Sequence, residues 1–161
     1  MAQDEALDEI DRRILAELQT DGRLRNNELA DRIGISHSNC LRRVRALRSS
    51  GVIKTIRATL DEKALGYEVV SFVAIQLASQ RQSAIETFEA AIAALPLVQQ
   101  CWRLSGEADF LLKCVSPSVD GMSRQLRQFA ALPGIRAIRS FPVLGVAKDA
   151  PLPIAPPPLP K

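Results

Sequence analysis

Between Asn26 and Gly51 a short apolar-periodic segment, a glycine and a longer basic segment follow one another, and this succession restricts the available folds more than any other feature. Leu29, Ala30 and Ile33 recur at helical spacing, with Asn26 or Asn27 placed to cap the segment. Gly34 supplies a sharp turn and Ile35 points back inward. Ser36 caps a further helix that runs to Ser49 or Ser50 and ends at Gly51, a residue suited to the position after a helix C-terminus. Upstream, Asp8 caps a helix with the stripe Ile10, Ile14, Leu15 and Leu18, stopped by Asp21-Gly22. Two helices joined by a short glycine-containing turn, the second of them basic, are the sequence form of a helix-turn-helix.

The charge distribution supports this reading where the average does not. The formal charge is only +3, from 21 Lys+Arg against 18 Asp+Glu. Residues 1–31 carry four Arg and nine acids, a net of −5. Residues 32–60 carry seven bases (Arg32, Arg42, Arg43, Arg45, Arg48, Lys54, Arg57) and no acid, and residues 61–161 carry ten bases and nine acids. An acid-free basic run suits a phosphate backbone or an anionic membrane surface. On the third helix Cys40, Leu41, Val44 and Leu47 fall on one side, Ser38, Arg42, Arg45 and Ser49 on the other, and Asn39 and Arg43 on a flank. Arg pairs with guanine, Asn with adenine, and Ser with phosphate or base edges. The apolar side lacks the Trp and Phe of a membrane-surface helix, and no apolar run approaches the roughly 18 residues of a membrane span. Double-stranded DNA is therefore the expected partner, and no membrane. The candidate contacts are Ser36, His37, Ser38, Asn39, Arg42, Arg43, Arg45 and Ser49, with Lys54 and Arg57 in the segment that follows. There Thr55, Arg57 and Thr59 alternate with Ile56, Ala58 and Leu60, which predicts a strand.

The second half reads β-α-β-β-α-β. The strands are 69–77, 98–104, 110–115 and 135–143. One helix carries Ile85, Phe88, Ile92 and Leu95, and another, opened by Pro117, turns Val119, Met122, Leu126 and Phe129 inward. This order is the ferredoxin-like arrangement, an α+β fold whose single sheet has helices on one face only. Both strand faces carry apolar side chains, which predicts self-association through the other face. The expected division is a DNA-binding domain over 1–60, a linker over 61–68, a second domain over 69–150 and an extended Pro-rich tail over 151–161.

The residues Leu7-Asp8-x-Ile10-Asp11-x-x-Ile14-Leu15, Asp21-Gly22-Arg23, Glu28-Leu29-Ala30-x-x-Ile33-Gly34-Ile35-Ser36, Cys40-Leu41-Arg42-Arg43-Val44-x-x-Leu47, Gly51-Val52-Ile53 and Ser105-Gly106-Glu107-x-Asp109-Phe110-Leu111-Leu112, in that order, resemble the Lrp/AsnC (feast/famine) transcription regulators. The resemblance runs from about Leu7 to Ile154. It implies a winged helix-turn-helix followed by a βαββαβ effector-sensing and oligomerisation domain. Dimers would form through the sensing-domain sheets and assemble into octamers, with a small effector, commonly an amino acid, held between dimers near the Ser-Gly-x-x-Asp loop. Carried over, Ser105, Gly106 and Glu107 offer contacts, and Asp109 meets the ligand ammonium or shapes the loop. Leu104, Val119, Phe141, Pro142 and Val143 line the side-chain pocket. Two positions depart from the family pattern. Ala108 stands where a bulky residue is usual, and Ser38-Asn39 replaces a common Thr-Pro pair.

Two alternatives compete. A siroheme-decarboxylase-like enzyme shares the resemblance, but the single histidine, His37, lies in the DNA-binding half and the only tyrosine is Tyr67, which leaves few groups for acid–base chemistry. An architectural DNA-binding protein without an effector is the other. Cys40, Cys101 and Cys114 stand singly without a CxxC pair, and no Gly-rich phosphate loop occurs, so neither a metal nor a cofactor is expected. The acidic start Met1–Glu5 has no apolar signal region, and a cytoplasmic location is expected.

Overall fold

Three helices and a separate four-stranded unit make up the computed structural model, which describes residues 7–154. The helix α1 spans Glu9–Thr20 and begins at Asp8. The Asp8 carboxylate accepts from the Asp11 N–H at 2.8 Å while the Asp11 carboxylate accepts from the Asp8 N–H at 3.4 Å, so two otherwise unpaired helix-end donors are satisfied. The helix α2 spans Asn26–Ile33, and its capping residue is Arg25 rather than Asn26 or Asn27. Glu28 accepts the Arg25 N–H at 3.2 Å, so an acid three residues into the segment, not an asparagine, fixes the start. Gly34 turns the chain at φ 74°, a left-handed conformation that a Cβ would strain. The helix α3 then runs over His37–Ser49 from the predicted cap Ser36, and Gly51 follows its end at φ 79°. Ile14, Leu29, Ala30, Ile33, Cys40, Val44 and Leu47 form the buried core, with Ile35 and Ile53 packed against it.

The strand expected over Thr55–Leu60 is absent: the segment is irregular and exposed. Alternation alone does not make a strand, because the N–H and C=O groups of a strand need a neighbouring ladder, and none pairs with this segment. Its Ile56 lies against Gly22, where a Cβ would come within 3.0 Å of Ile56 Cγ2.

The second unit, Leu60–Ala147, follows the predicted order. Its elements are β1 (Val69–Leu77), α4 (Gln82–Ala93), β2 (Val98–Arg103), β3 (Phe110–Ser116), α5 (Val119–Ala130) and β4 (Ile135–Pro142). The strands pair antiparallel in the order β2-β3-β1-β4. Val73, Ile75, Leu77, Phe110, Leu112 and Cys114 meet Ile85, Phe88 and Ile92 of α4 and Phe129 of α5 in one core. Val119, expected to point inward, is 67 % exposed. It is the first residue of α5, outside the core cluster, and the polar Gln125 is buried further along the helix, bonded to Ser116 Oγ at 3.1 Å.

Among the described residues of this unit, no helix covers the opposite sheet face. Its rows read Gln100–Lys113–Phe72–Phe141 and Trp102–Leu111–Ala74–Arg139. Phe72 and Trp102 stack with ring centroids 6.5 Å apart, and Trp102 and Phe141 remain 40 % and 53 % exposed. Of the Pro-rich tail, Pro151–Ile154 is described and has no regular structure, with the Leu152 carbonyl accepting from Gln19 Nε2 of α1 at 3.0 Å. Residues 155–161 lie outside the described residues.

Candidate functional sites

The apolar side of α3 is buried through Cys40, Val44 and Leu47, and this turns Ser38, Arg42, Arg45 and Ser49 to solvent on the opposite side. No acid lies on the helix, so its outer face is positive and donor-rich. Arg42 Nη2 donates to Asn39 Oδ1 at 2.9 Å, which joins two candidate base-reading groups into one unit. At the helix start the Ser36 hydroxyl accepts from the Asn39 N–H at 3.4 Å, and His37 Nε2 lies 3.4 Å from Asp31 Oδ1. Lys54 and Arg57 are exposed in the irregular segment beyond the helix.

Arg43 stands apart from this set. Its Nη1 donates to Asp8 Oδ2 at 2.7 Å and to Asp11 Oδ1 at 2.8 Å, and its side chain is only 18 % exposed. The guanidinium that flanks the basic face is therefore committed to the capped start of α1. The Asp11 N–H, followed by the Arg43 guanidinium, holds the Asp8 carboxyl below its ordinary range. Arg43 braces the helix that carries Arg42 and Arg45. The clue available in the sequence was the Asp8-x-x-Asp11 pair, whose two carboxylates need a cation.

In the second unit the turn Ser105–Ala108 joins β2 to β3 and is pinned at its base. Asp109 Oδ2 accepts from the Leu77 N–H at 2.7 Å and Oδ1 from Gln80 Nε2 at 3.1 Å. Its backbone N–H donates to the Ile75 carbonyl at 2.9 Å, and its carbonyl accepts from the Leu104 N–H at 2.8 Å. Both carboxylate oxygens are thus engaged within the chain, and Asp109 shapes the loop. Gly106 adopts φ 136°, and Glu107 reaches across to Arg139 of β4 at 3.2 Å. Arg139 escaped the sequence reading, although its parity with Phe141 on β4 places it on the open face.

The candidate effector residues form two groups. Leu104, Ser105, Gly106, Glu107 and Asp109 sit at the Leu77 end of β1. Phe141, Pro142 and Val143 sit at the other end: Pro142 pairs opposite Ser71, six residues from Leu77, and Val143 donates to the Val70 carbonyl. At strand rise, six residues span about 20 Å. Val119 also lies toward this second end, just beyond the end of β3, whose Ser116 pairs with Val69.

Residues 7–54 match the winged helix-turn-helix DNA-binding domain, and residues 70–153 match the Lrp/AsnC ligand binding domain. The leucine-responsive regulatory protein of Rhizobium meliloti (strain 1021) is 43 % identical over 145 residues, covering 89 % of this chain and 93 % of that protein. Among solved structures, a transcriptional regulator of Neisseria meningitidis in complex with L-Met superposes with a TM-score of 0.85. It is 31 % identical, and the match covers 92 % of this chain and 97 % of that one. A feast or famine regulatory protein of M. tuberculosis complexed with L-methionine gives 0.82 at 31 % identity, over 93 % of this chain and 100 % of that one. No helix among the described residues is long and apolar enough to cross a membrane.

Proposed function

Because the chain belongs to the Lrp/AsnC family of DNA-binding transcription regulators, we propose that it is a cytoplasmic, homo-oligomeric regulator whose hold on DNA responds to a free amino acid. In this reading α3 enters the major groove with Arg42, Arg45 and Asn39 toward the bases and with Ser38, Ser49, Lys54 and Arg57 toward phosphates. Arg43 positions that helix. The observation that carries the effector reading is the separation of the two candidate groups along one sheet. A small ligand cannot touch both ends of a span of about 20 Å in one chain. A ligand contacting both therefore sits between chains, where it changes assembly. Exposed Trp102 and Phe141 on the uncovered sheet face supply the apolar surface for the dimer.

A role in catalysis finds little support. Burial pushes all three thiols up, Cys114 to about 12, so none carries the lowered pKa of an activated cysteine. His37 lies at the start of α3, in the helical unit.

The test is DNA affinity measured in the presence of each of the twenty amino acids. At least one shifts the Kd about fivefold or more, the usual scale of coupling between two sites. If none changes either affinity or oligomer size, the chain is an architectural DNA-binding protein.

A further inference from the structure

The segment that leads from the helical unit to β1 has less reach than its length suggests. Ile53 packs on the helical core and Val69 opens β1, which leaves residues 54–68 between them. Fully extended, a run of that length spans about 50 Å. Residues 61–67 are folded instead. The Asp61 carboxylate accepts from the Lys63 and Ala64 N–H groups at 2.8 and 3.1 Å, and the Tyr67 N–H donates back to the Glu62 carbonyl at 2.9 Å. Gly66 closes the turn at φ 85°. From this turn Glu62 meets the sheet: Lys113 Nζ of β3 donates to Glu62 Oε1 at 3.4 Å, and the two side chains are 29 % and 34 % exposed. Lys113 stands on the open sheet face, in one row with Gln100, Phe72 and Phe141. The Glu62 N–H, followed by the Lys113 ammonium, holds the Glu62 carboxyl below its ordinary range.

We propose that the Glu62–Lys113 pair latches this connector to the sheet and thereby sets which spacing of two DNA half-sites a pair of copies accepts. The proposal rests on the reading of the chain as a homo-oligomeric regulator and deepens it. With Glu62 held, the free tether shrinks to residues 54–61, about 27 Å at full extension. A shorter tether confines each DNA-binding unit to a smaller volume, which favours half-sites within reach and excludes the rest. The latch is also preset. Its turn is closed by its own hydrogen bonds, so the ion pair orders little beyond the lysine side chain. A surface pair of this kind is worth little alone. Here, however, Lys113 shares its row with Phe72 and Phe141, on the face that a second copy covers in this reading. Covering that face strips water from an ammonium, which is costly unless a counter-charge is already in place. Glu62 supplies that charge, so association tightens the latch instead of opposing it.

The test uses the full-length protein and a duplex that it selects from a random pool, with the two half-sites then moved apart one base pair at a time. A shift of about 5 base pairs puts them on opposite sides of the double helix. At that spacing wild type loses affinity about tenfold or more, because the short tethers no longer reach both half-sites. Lys113→Gln and Glu62→Gln flatten the profile to within about threefold, since the longer tether spans either arrangement. Lys113→Arg keeps the cation and keeps the wild-type profile, and a duplex with a single half-site is bound alike by every variant. Trypsin cleavage after Lys63, measured against cleavage after Arg57, rises in Lys113→Gln as the connector comes loose. If Lys113→Gln keeps the wild-type spacing profile, loses affinity equally at every spacing or leaves the cleavage ratio unchanged, the latch is overturned while the regulator reading stands. Wild type without any spacing preference overturns it in the same way. If wild type selects no duplex at all, both fall.

Discussion

Arg43→Ala lowers the melting temperature by several degrees and weakens DNA binding, because its guanidinium is engaged by Asp8 and Asp11 and braces the helix. Its two bonds to Asp8 and Asp11 are the only hydrogen bonds between α1 and α3 among the described residues. Removing the guanidinium leaves two neighbouring carboxylates at the start of α1 without their cation. The helix that presents Arg42 and Arg45 then loses its polar tie. Arg43→Lys recovers part of the stability only, since its shorter side chain must bring the ammonium to the place where Nη1 alone meets both acids. The same brace has an acid signature. The folded-state pKa of Asp8 lies below its unfolded value of 3.8. The stability it confers is therefore complete above that value and is lost as the pH falls through the depressed range beneath it. Wild type and Asp8→Asn accordingly differ at neutral pH and converge in strong acid. Thermal denaturation across pH, together with DNA titration, checks both statements. A direct phosphate contact by Arg43 gives the opposite pattern, with reduced affinity and salt dependence at an unchanged melting temperature.

Asp109→Ala abolishes the effector response and costs about 1–3 kcal/mol of stability, while DNA binding without effector persists. The cost is that of leaving the partly buried Leu77 N–H without its acceptor at 2.7 Å. Freed from Leu77 and Gln80, the turn no longer holds Glu107 over the sheet. The decisive comparison is Asp109→Asn, which keeps an oxygen for the Leu77 N–H and loses the charge and the acceptor for Gln80 Nε2. Because the carboxylate acts on the loop, the asparagine variant retains most of the stability and most of the response. Wild-type stability with no response in Asp109→Asn shows instead that the charge meets the ligand ammonium directly. Thermal denaturation and effector titration of the two variants separate these cases.

The helices were legible because their signals are local. Asp8, Ser36, Gly34 and Gly51 mark ends, and Leu29, Ala30, Ile33, Cys40, Val44 and Leu47 mark the inward side, all within a few residues of one another. The second unit was legible because strand and helix periodicities alternate between clear turn residues. Thr55–Leu60 misled because alternation reports which side chains share a side, not whether a ladder partner exists. Arg43 misled for a related reason: its flank position is correct, but the acids that claim it lie more than thirty residues upstream. Asn26 and Asn27 were displaced as caps by Glu28, and Val119 by its place at the first residue of α5. The pairing of Glu107 with Arg139 depends on the register of β4 against β1, which no local pattern specifies.

Whether the exposed side of α3 is the DNA-reading surface is decided by fluorescence anisotropy of a labelled operator duplex across a salt series. Arg42→Ala and Arg45→Ala leave the fold unchanged, since both side chains are exposed. At a base-reading position the variant costs about 1–3 kcal/mol and relaxes sequence preference. At a phosphate position it weakens all sequences alike and lowers the salt slope by about one. If the double variant binds the operator with wild-type affinity and wild-type salt dependence, α3 is not the surface that reads DNA.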